Sequence, residues 1–360
     1  MEIEFLEDGK FKLGLVQYIL GMIEELEELL SNLGEKIQGH FTHPASKDLF
    51  TVRDDAPVLD DKRAEIFGSF VAKLIWVMKR ARPDAEPSVS FLCTRVKQPN
   101  KDDWKKFLRV MSWIKATAHD VRIIGADDLL EMLVLIDSAH AVHKDMRGHT
   151  GGIISFGTGL VDQKSSKQKM NTRSSTETEH VGTSEYLTKP LFFELFMEAQ
   201  GYKPKITLGK DNESEIRMLI NGKDSCTSNS KHVAIKYFWS TDRIQAGRIK
   251  VRHCPTDKMI ADYMSKPLQG KLFHLFRNVI MGWAHINTLY DFFGTNEERV
   301  ENNGSSPVIN GASVSKQSYA DVAKLQLKVE EQNKSIMENK DPTDGSPIAL
   351  IKDNPELITL

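Results

Sequence analysis

Four acidic residues stand where a metal-dependent reaction would want them. Asp137 closes the apolar run Leu133-Val134-Leu135-Ile136, a strand-length segment that delivers a carboxylate at the edge of a sheet. Asp211 follows Ile206-Thr207-Leu208 within three residues. Glu179 lies in a helical segment, and Asp262 lies in the apolar stretch Met259–Met264. Carboxylate oxygens are hard ligands that suit Mg2+ or Mn2+, and no His/Cys set with zinc spacing competes with them. Four carboxylates crowded together repel one another and raise one another's pKa unless divalent cations neutralise them. Two such ions can clamp the attacking water and the leaving oxygen of a phosphodiester. Each acid taken singly is equally a turn or cap residue, so spacing alone leaves both readings open.

The elements that must position these acids are legible in the periodicity. Residues 1–12 read as a hairpin turning at Asp8-Gly9. A helix follows, with Val16, Leu20, Ile23, Leu26, Leu30 and Leu33 on one stripe and Glu24, Glu25, Glu27 and Glu28 mostly off it. Residues 40–61 read as loop. Two helices span about 62–80 and 101–116, with Phe67, Phe70, Leu74 and Val77, then Trp104, Leu108, Met111 and Ile114, at core spacing. Arg82–Pro87 breaks the pattern between them. From about 119 the texture turns to strands at 121–124, 132–136, 151–157 and from 159. A long helix opens at Ser174-Ser175-Thr176-Glu177, the spacing of a capping box, and runs to about Gly201 with a possible break at Pro190. A strand at 206–208, short helices around Ile216–Ile220 and Val233–Phe238, a last strand at 249–251 and a last helix at 259–264 complete the folded part. Strands, a helix, then alternation predict a mixed α/β fold, a mixed sheet with helices on its faces.

Composition narrows the class. The 360 residues carry 48 Lys and Arg against 50 Asp and Glu, a formal charge of −2, so any surface for nucleic acid has to be local. One such strip is Lys164–Arg173, where Lys164, Lys167, Lys169 and Arg173 stand among Ser, Gln and Thr; Lys231, His232 and Lys266 would extend it. Three cysteines in no paired spacing predict a reduced compartment without structural disulfides. No apolar run approaches the ~20 residues of a membrane span, and the acidic N-terminus is unlike a signal peptide. An intracellular protein, cytoplasmic or nuclear, is expected. After about 291–296 the chain turns Asn-, Ser-, Glu- and Lys-rich, the composition of a disordered tail.

Seven blocks then recur in a recognisable order: Ile136-Asp137-Ser138-Ala139-His140; Met146-Arg147-Gly148-His149-Thr150-Gly151-Gly152; Lys164-Ser165-Ser166-Lys167-Gln168-Lys169; Ser174-Ser175-Thr176-Glu177-Thr178-Glu179; Lys210-Asp211-Asn212; Ser230-Lys231-His232; and Ala261-Asp262-Tyr263-Met264-Ser265-Lys266-Pro267-Leu268. In that order residues 130–285 resemble the ribonuclease H domain of copia-type retrotransposon polyproteins. Residues 1–120 more loosely resemble the end of that family's reverse transcriptase, through Arg82-Pro83-Asp84 and the Trp104 helix. The resemblance implies an RNase H-like domain with a five-stranded mixed sheet over 119–290, preceded by a mostly helical thumb and connection remnant over 1–118. It also implies two Mg2+ or Mn2+ ions on Asp137, Glu179, Asp211 and Asp262, an RNA·DNA hybrid as substrate, and a full-length reverse transcriptase as a possible partner. Glu177 lies about 200° around the helix from Glu179, so the two cannot face one site. His180 and His253 read as surface or packing residues.

Departures accompany the resemblance. No Asp-Asp pair has the aromatic residue and flanking apolar strands of a polymerase palm, which predicts a chain without polymerase activity. Glu213 and Glu215 stand where relatives typically carry Gln and Ala, adding negative charge beside the expected site. The alternative expectation is therefore a catalytically inactive relic that binds nucleic acid or a partner.

Overall fold

The chain opens with a hairpin, β1 (Glu2–Phe5) against β2 (Phe11–Gly14), turning through Gly9 at φ +80°. Four helices follow: α1 (Val16–Ser31), α2 (Asp61–Arg80), α3 (Glu86–Cys93) and α4 (Lys101–Ala116). The boundaries of α2 and α4 match the periodicity, and both have side-chain caps, Asp60 on the Arg63 amide and Asn100 in a full capping box with Asp103. The acidic face of α1 is only partly solvated, since Glu25 pairs with Lys73 and Glu27 with Lys115.

The segment read as a break runs into the start of α3. Pro83 and Pro87 look like breakers, but Pro87 occupies the first turn of α3, where its missing amide hydrogen leaves no helical bond unmade.

Strands then dominate. β3 (Arg122–Ala126) pairs with β2 and with the short β6 (Gly157–Thr158), giving a small sheet in the order β1-β2-β3-β6. The main sheet is the expected five-stranded mixed one, in the order β7-β5-β4-β8-β9. Its strands are β4 (Glu131–Ala139), β5 (His149–Ser155), β7 (Asp162–Lys167), β8 (Lys205–Lys210) and β9 (Ile249–His253). β4-β5 and β5-β7 are antiparallel, while β4-β8 and β8-β9 are parallel. The central strand β4 is longer than the apolar run suggested. Asp137 therefore sits inside it, paired with Gly151 of β5, and not at its end.

Alternation splits the core between the two faces of the sheet. Met132, Val134, Ile136, Ile206 and Leu208 point to one side, with Tyr186, Leu187 and Leu219 of the covering helices. These helices are α5 (Ser175–Tyr186), α6 (Thr188–Ala199), α7 (Glu213–Asn221) and, beside β9, α8 (Trp239–Gln245). The single long helix expected over 174–201 is thus two helices that meet at Leu187. Pro190 falls in the first turn of α6, where it is tolerated, and is not the break.

Leu133, Leu135 and Ile153 point to the other side, into one continuous core with α1–α4. This face also receives the four-residue α9 (Asp262–Ser265) and α10 (Gly270–Ile280). Asp262 starts α9 after a 3-10 turn instead of lying within a longer helix. The further helix α10 was missed although Phe273, Phe276 and Ile280 lie at helical spacing, and all three are buried.

The structure, a computed structural model, describes residues 1–222 and 239–292. Lys231, His232, Cys226, the helix expected around Val233–Phe238 and the tail from 293 lie outside the described residues. Cys93 and Cys254 are free thiols. Among the described residues, no helix is long and apolar enough to cross a membrane.

A buried polar chain fastens the loop between β4 and β5 to the sheet, under Phe50 of the loop after α1. His143 Nε2 lies 2.9 Å from His149 Nδ1, and His149 Nε2 lies 2.7 Å from Ser165 Oγ. Phe50 packs on both rings, with centroids 5.0 and 4.8 Å away. Burial, with Lys167 nearby, pushes the His143 imidazole down to about 4, and burial holds His149 well below its ordinary value. Above about pH 6.5 neither folded nor unfolded chain protonates these rings. Below it the unfolded chain binds protons that the folded one refuses. Stability should therefore fall as the pH drops from about 6.5 towards 4, by at most about 1.4 kcal/mol per unit for each ring. Urea unfolding at pH 7 and pH 5 checks this. His143→Gln should shrink the difference between the two curves, and an equal difference in the variant would contradict it.

Candidate metal centre

Three carboxylates converge. Oxygens of Asp137, Asp211 and Asp262 lie within 4.8 Å of one another, with Asp137 and Asp262 buried and Asp211 half-buried. They come from β4, from the residue after β8, and from the start of α9. Parallel pairing of β4 with β8 brings the ends of the two strands together, and Asp137 and Asp211 leave them near one edge. Octahedral Mg2+ with oxygens at about 2.1 Å holds adjacent ligand atoms about 3.0 Å apart and opposite ones about 4.2 Å apart, so the three side chains close by on the order of 1–2 Å to share one ion. The donor set, all carboxylate oxygen, suits Mg2+ or Mn2+.

Gly151 permits the approach of α9. A Cβ there would meet the Ala261 carbonyl at 2.6 Å and the Ser265 amide at 2.7 Å, which are backbone atoms with no easy escape. With no side chain at Gly151, Ser265 reaches over β5 to donate a hydrogen bond to Asp137. The rest of α9 is propped from below. Tyr263 donates to the Asp84 carbonyl at 2.8 Å. The Asp84 carboxylate is shared by Arg82 at 3.0 Å and Arg277 at 2.8 Å, both guanidinium groups lying over the Trp113 ring. The N-terminal helices thus set the position of one of the acids.

Glu179 enters from the opposite face, on α5, and lines the same open cleft as Asp137 and Asp211. It stands outside the close triad. Its Oε2 accepts from Lys210 Nζ at 2.7 Å. The neighbouring Glu177 serves the helix terminus, its amide donating to Ser174 Oγ and its carboxylate accepting from the Arg173 amide. Lys210 itself has no exposed surface and also lies 2.7 Å from Glu215. Glu215, expected to add repulsion, is instead buried and compensated by Lys210 and by the Thr183 hydroxyl at 2.5 Å. Glu213 remains exposed, next to Arg217.

The electrostatics of the set are split. For Asp137, burial raises the pKa, but Lys266, Ser265 and Lys210 outweigh it and hold the carboxyl below its usual value. For Asp262, burial and repulsion from Asp137 win over Lys266, and the pKa rises to about 7. Glu179 is raised by burial and by Asp137 and Glu215, despite Lys210. Lys266, 2.8 Å from Asp262 and 3.3 Å from Asp137, occupies the space between two of the acids.

The expected basic strip is broken. Lys164 and Lys167 lie three residues apart on β7 and so point to opposite faces. Lys167 pairs with Asp145 at 2.7 Å, while Lys169 and Arg173 are exposed beyond the strand. Lys266 belongs to the acid cluster and not to that strip. His180 is buried in α5 and His253 is exposed at the end of β9.

Lys210 stood in the Lys210-Asp211-Asn212 block, but the sequence reading gave it no role. Its signal was present, because Ile206, Leu208 and Lys210 alternate onto one strand face, and a lysine in that register faces the core.

Comparison with known proteins agrees with the likeness to retrotransposon polyproteins. No family model matches the chain. Over 216 residues it is 22% identical to the retrovirus-related Pol polyprotein from transposon TNT 1-94 of Nicotiana tabacum, which covers 59% of this chain and 16% of that protein. Over 205 residues it is 28% identical to the Pol polyprotein from transposon RE2 of Arabidopsis thaliana, covering 55% and 14%. A Ty1 Gag-Pol polyprotein of Saccharomyces cerevisiae is 23% identical over 296 residues, 79% of this chain and 16% of that protein. The chain's relatives are retrotransposon Pol polyproteins. It spans about a sixth of the length of these curated relatives. Solved structures similar to it include an RNase H1 isolated from compost (TM-score 0.30, 12% identity, covering 38% of this chain and 93% of that one). Another is the RNase H domain of PFV (TM-score 0.27, 15% identity, covering 46% and 98%).

The glycine argument is open to test. Gly151→Ala should destabilise the protein by about 1–3 kcal/mol, the range for forced overpacking. Gly21→Ala, on α1 with nothing within 4 Å of the new Cβ, should stabilise it by about 0.5–1 kcal/mol. Thermal melts of both check this, and equal shifts in the two would contradict it.

Proposed function

We propose that this chain carries an RNase H-like nuclease site that hydrolyses the RNA strand of RNA·DNA hybrids. The observation that carries the reading is the convergence of Asp137, Asp211 and Asp262, beside an open cleft that Asp137, Asp211 and Glu179 line. Asp137, Asp211 and Asp262 would hold a divalent ion, Mg2+ or Mn2+; Glu179 would join the expected two-ion arrangement only by turning away from Lys210. Such ions activate water and stabilise the charge that builds on a phosphodiester.

The protein's own groups supply the rest. Ser265 orients the Asp137 carboxylate. Lys266 compensates Asp137 and Asp262 until an ion arrives. Lys169 and Arg173, exposed after β7, offer sequence-independent phosphate contacts, with Lys164 half-buried on the same strand. Contacts to phosphates alone suit a substrate recognised by its helical shape. A full-length reverse transcriptase is the partner that the Pol relatives suggest.

The second reading, a fold retained without cleavage, is favoured by one observation, the hold of Lys210 on Glu179. Both are tested by one assay, hybrid cleavage in Mg2+ or Mn2+. The nuclease reading predicts cleavage of the RNA strand only. It also predicts that Asp137→Asn and Asp211→Asn each lower the rate by about 100-fold or more, the scale seen on removing one preorganised group. No cleavage by wild type, or cleavage unchanged in both variants, would reject it.

A further inference from the structure

We propose that Lys210 takes the place of a second cation, so that the cleft binds one divalent ion and not two. The inference rests on the nuclease reading above and sharpens it.

The two lysines at the site differ in kind. Lys266 is 38% exposed at its side chain and bridges Asp137 and Asp262 from the solvent side. It can swing into water when an ion enters, which leaves the close triad free to coordinate. Lys210 cannot. It has no exposed surface, and an ammonium has three hydrogens to donate. They go to the Ile136 carbonyl at 2.7 Å, Glu179 Oε2 at 2.7 Å and the Thr183 hydroxyl oxygen at 3.2 Å, and Glu215 Oε2 lies 2.7 Å away as an ion-pair partner. Displacing Lys210 would leave a buried charge and a buried carbonyl without partners and no water to replace them.

Charge leads to the same stoichiometry. Five carboxylates, Asp137, Glu179, Asp211, Glu215 and Asp262, face two ammonium groups, Lys210 and Lys266. Fully ionised, they leave three negative charges. One divalent ion compensates most of that excess. A second would reverse the sign beside an ammonium that is fixed in place. It would also need Glu179, whose Oε2 is already taken. The composition of the close triad, which includes both neighbours of Lys266 and excludes Glu179, follows from the same division.

The pairing of Lys210 with Glu215 makes the device separable from the fold. Lys210→Met with Glu215→Leu removes the ammonium and one of its two carboxylates together, so that of the charged groups only Glu179 loses its partner, which frees it for metal.

The test counts ions. The full chain is titrated with Mn2+, free ion being read by electron paramagnetic resonance. The titration is run alone and with a hybrid whose 2′-O-methyl RNA strand resists hydrolysis. Wild type should bind one Mn2+ in both conditions, with no second ion up to 100-fold above the first Kd. The double variant should bind two. Asp211→Asn should weaken the single ion at least tenfold. Two ions on wild type with Kd values within 100-fold, or one ion on a double variant that is folded by circular dichroism, would overturn the proposal while leaving the nuclease reading intact. No ion on wild type would overturn the nuclease reading as well. If the double variant does not fold, the wild-type count decides alone.

Discussion

Carboxylates removed from water beside one another repel, and a fold that gathers them has to hold them together by other means. Everything around this cleft answers to that constraint. The side chains of Asp137 and Asp262 are 3% and 10% exposed, and each alone would favour its neutral form. The protein meets the problem with cations of its own. Lys266 offsets Asp137 and Asp262 at the mouth, and Lys210 offsets Glu179 and Glu215 beneath. The result is asymmetric. Asp137 keeps its charge, whereas Asp262 and Glu179 resist ionisation. Such a set is poised to exchange protons and a mobile lysine for a divalent ion.

Holding the acids close requires a scaffold that does not yield. The central strand β4 is buried on both faces, with Met132 to Ile136 fully inaccessible. On one side it is locked by α5, which carries Glu179. On the other, the core runs without interruption into α1–α4. Those helices do more than cover apolar surface. Arg82 and Asp84, between α2 and α3, and Trp113 of α4, together with Arg277 of α10, fix Tyr263, the residue after Asp262. The helical segment before the sheet thus acts structurally as a brace for the acid site.

Much of this was legible in the chain. The apolar runs at 132–136, 206–208 and 249–251 are strands, and the helical stripes at 62–80 and 101–116 are helices. The misses have physical causes. Proline was read as a breaker at 83–87 and 190, although first-turn positions tolerate it. The apolar run ending at Ile136 suggested that the strand ended there, yet pairing with β5 continues through polar Ser138 to Ala139. Glu215 was read as added repulsion because its partner is five residues back on another element. Only the turn between β8 and α7 shows that Lys210 and Glu215 meet. Strand parity pointed Lys210 inward, but parity could not say which carboxylates waited there.

The central claim, that Asp137, Asp211 and Asp262 jointly grip a divalent ion, is tested most directly by thermal melting with and without Mn2+. Wild type should melt higher in millimolar Mn2+, because an ion bound only by the folded state stabilises it. Asp211→Asn should melt at the same temperature as wild type or above it in the absence of the ion, since one repelling charge is gone, and should gain little when Mn2+ is added. A wild type indifferent to Mn2+, or a variant that gains as much as wild type, would contradict the account.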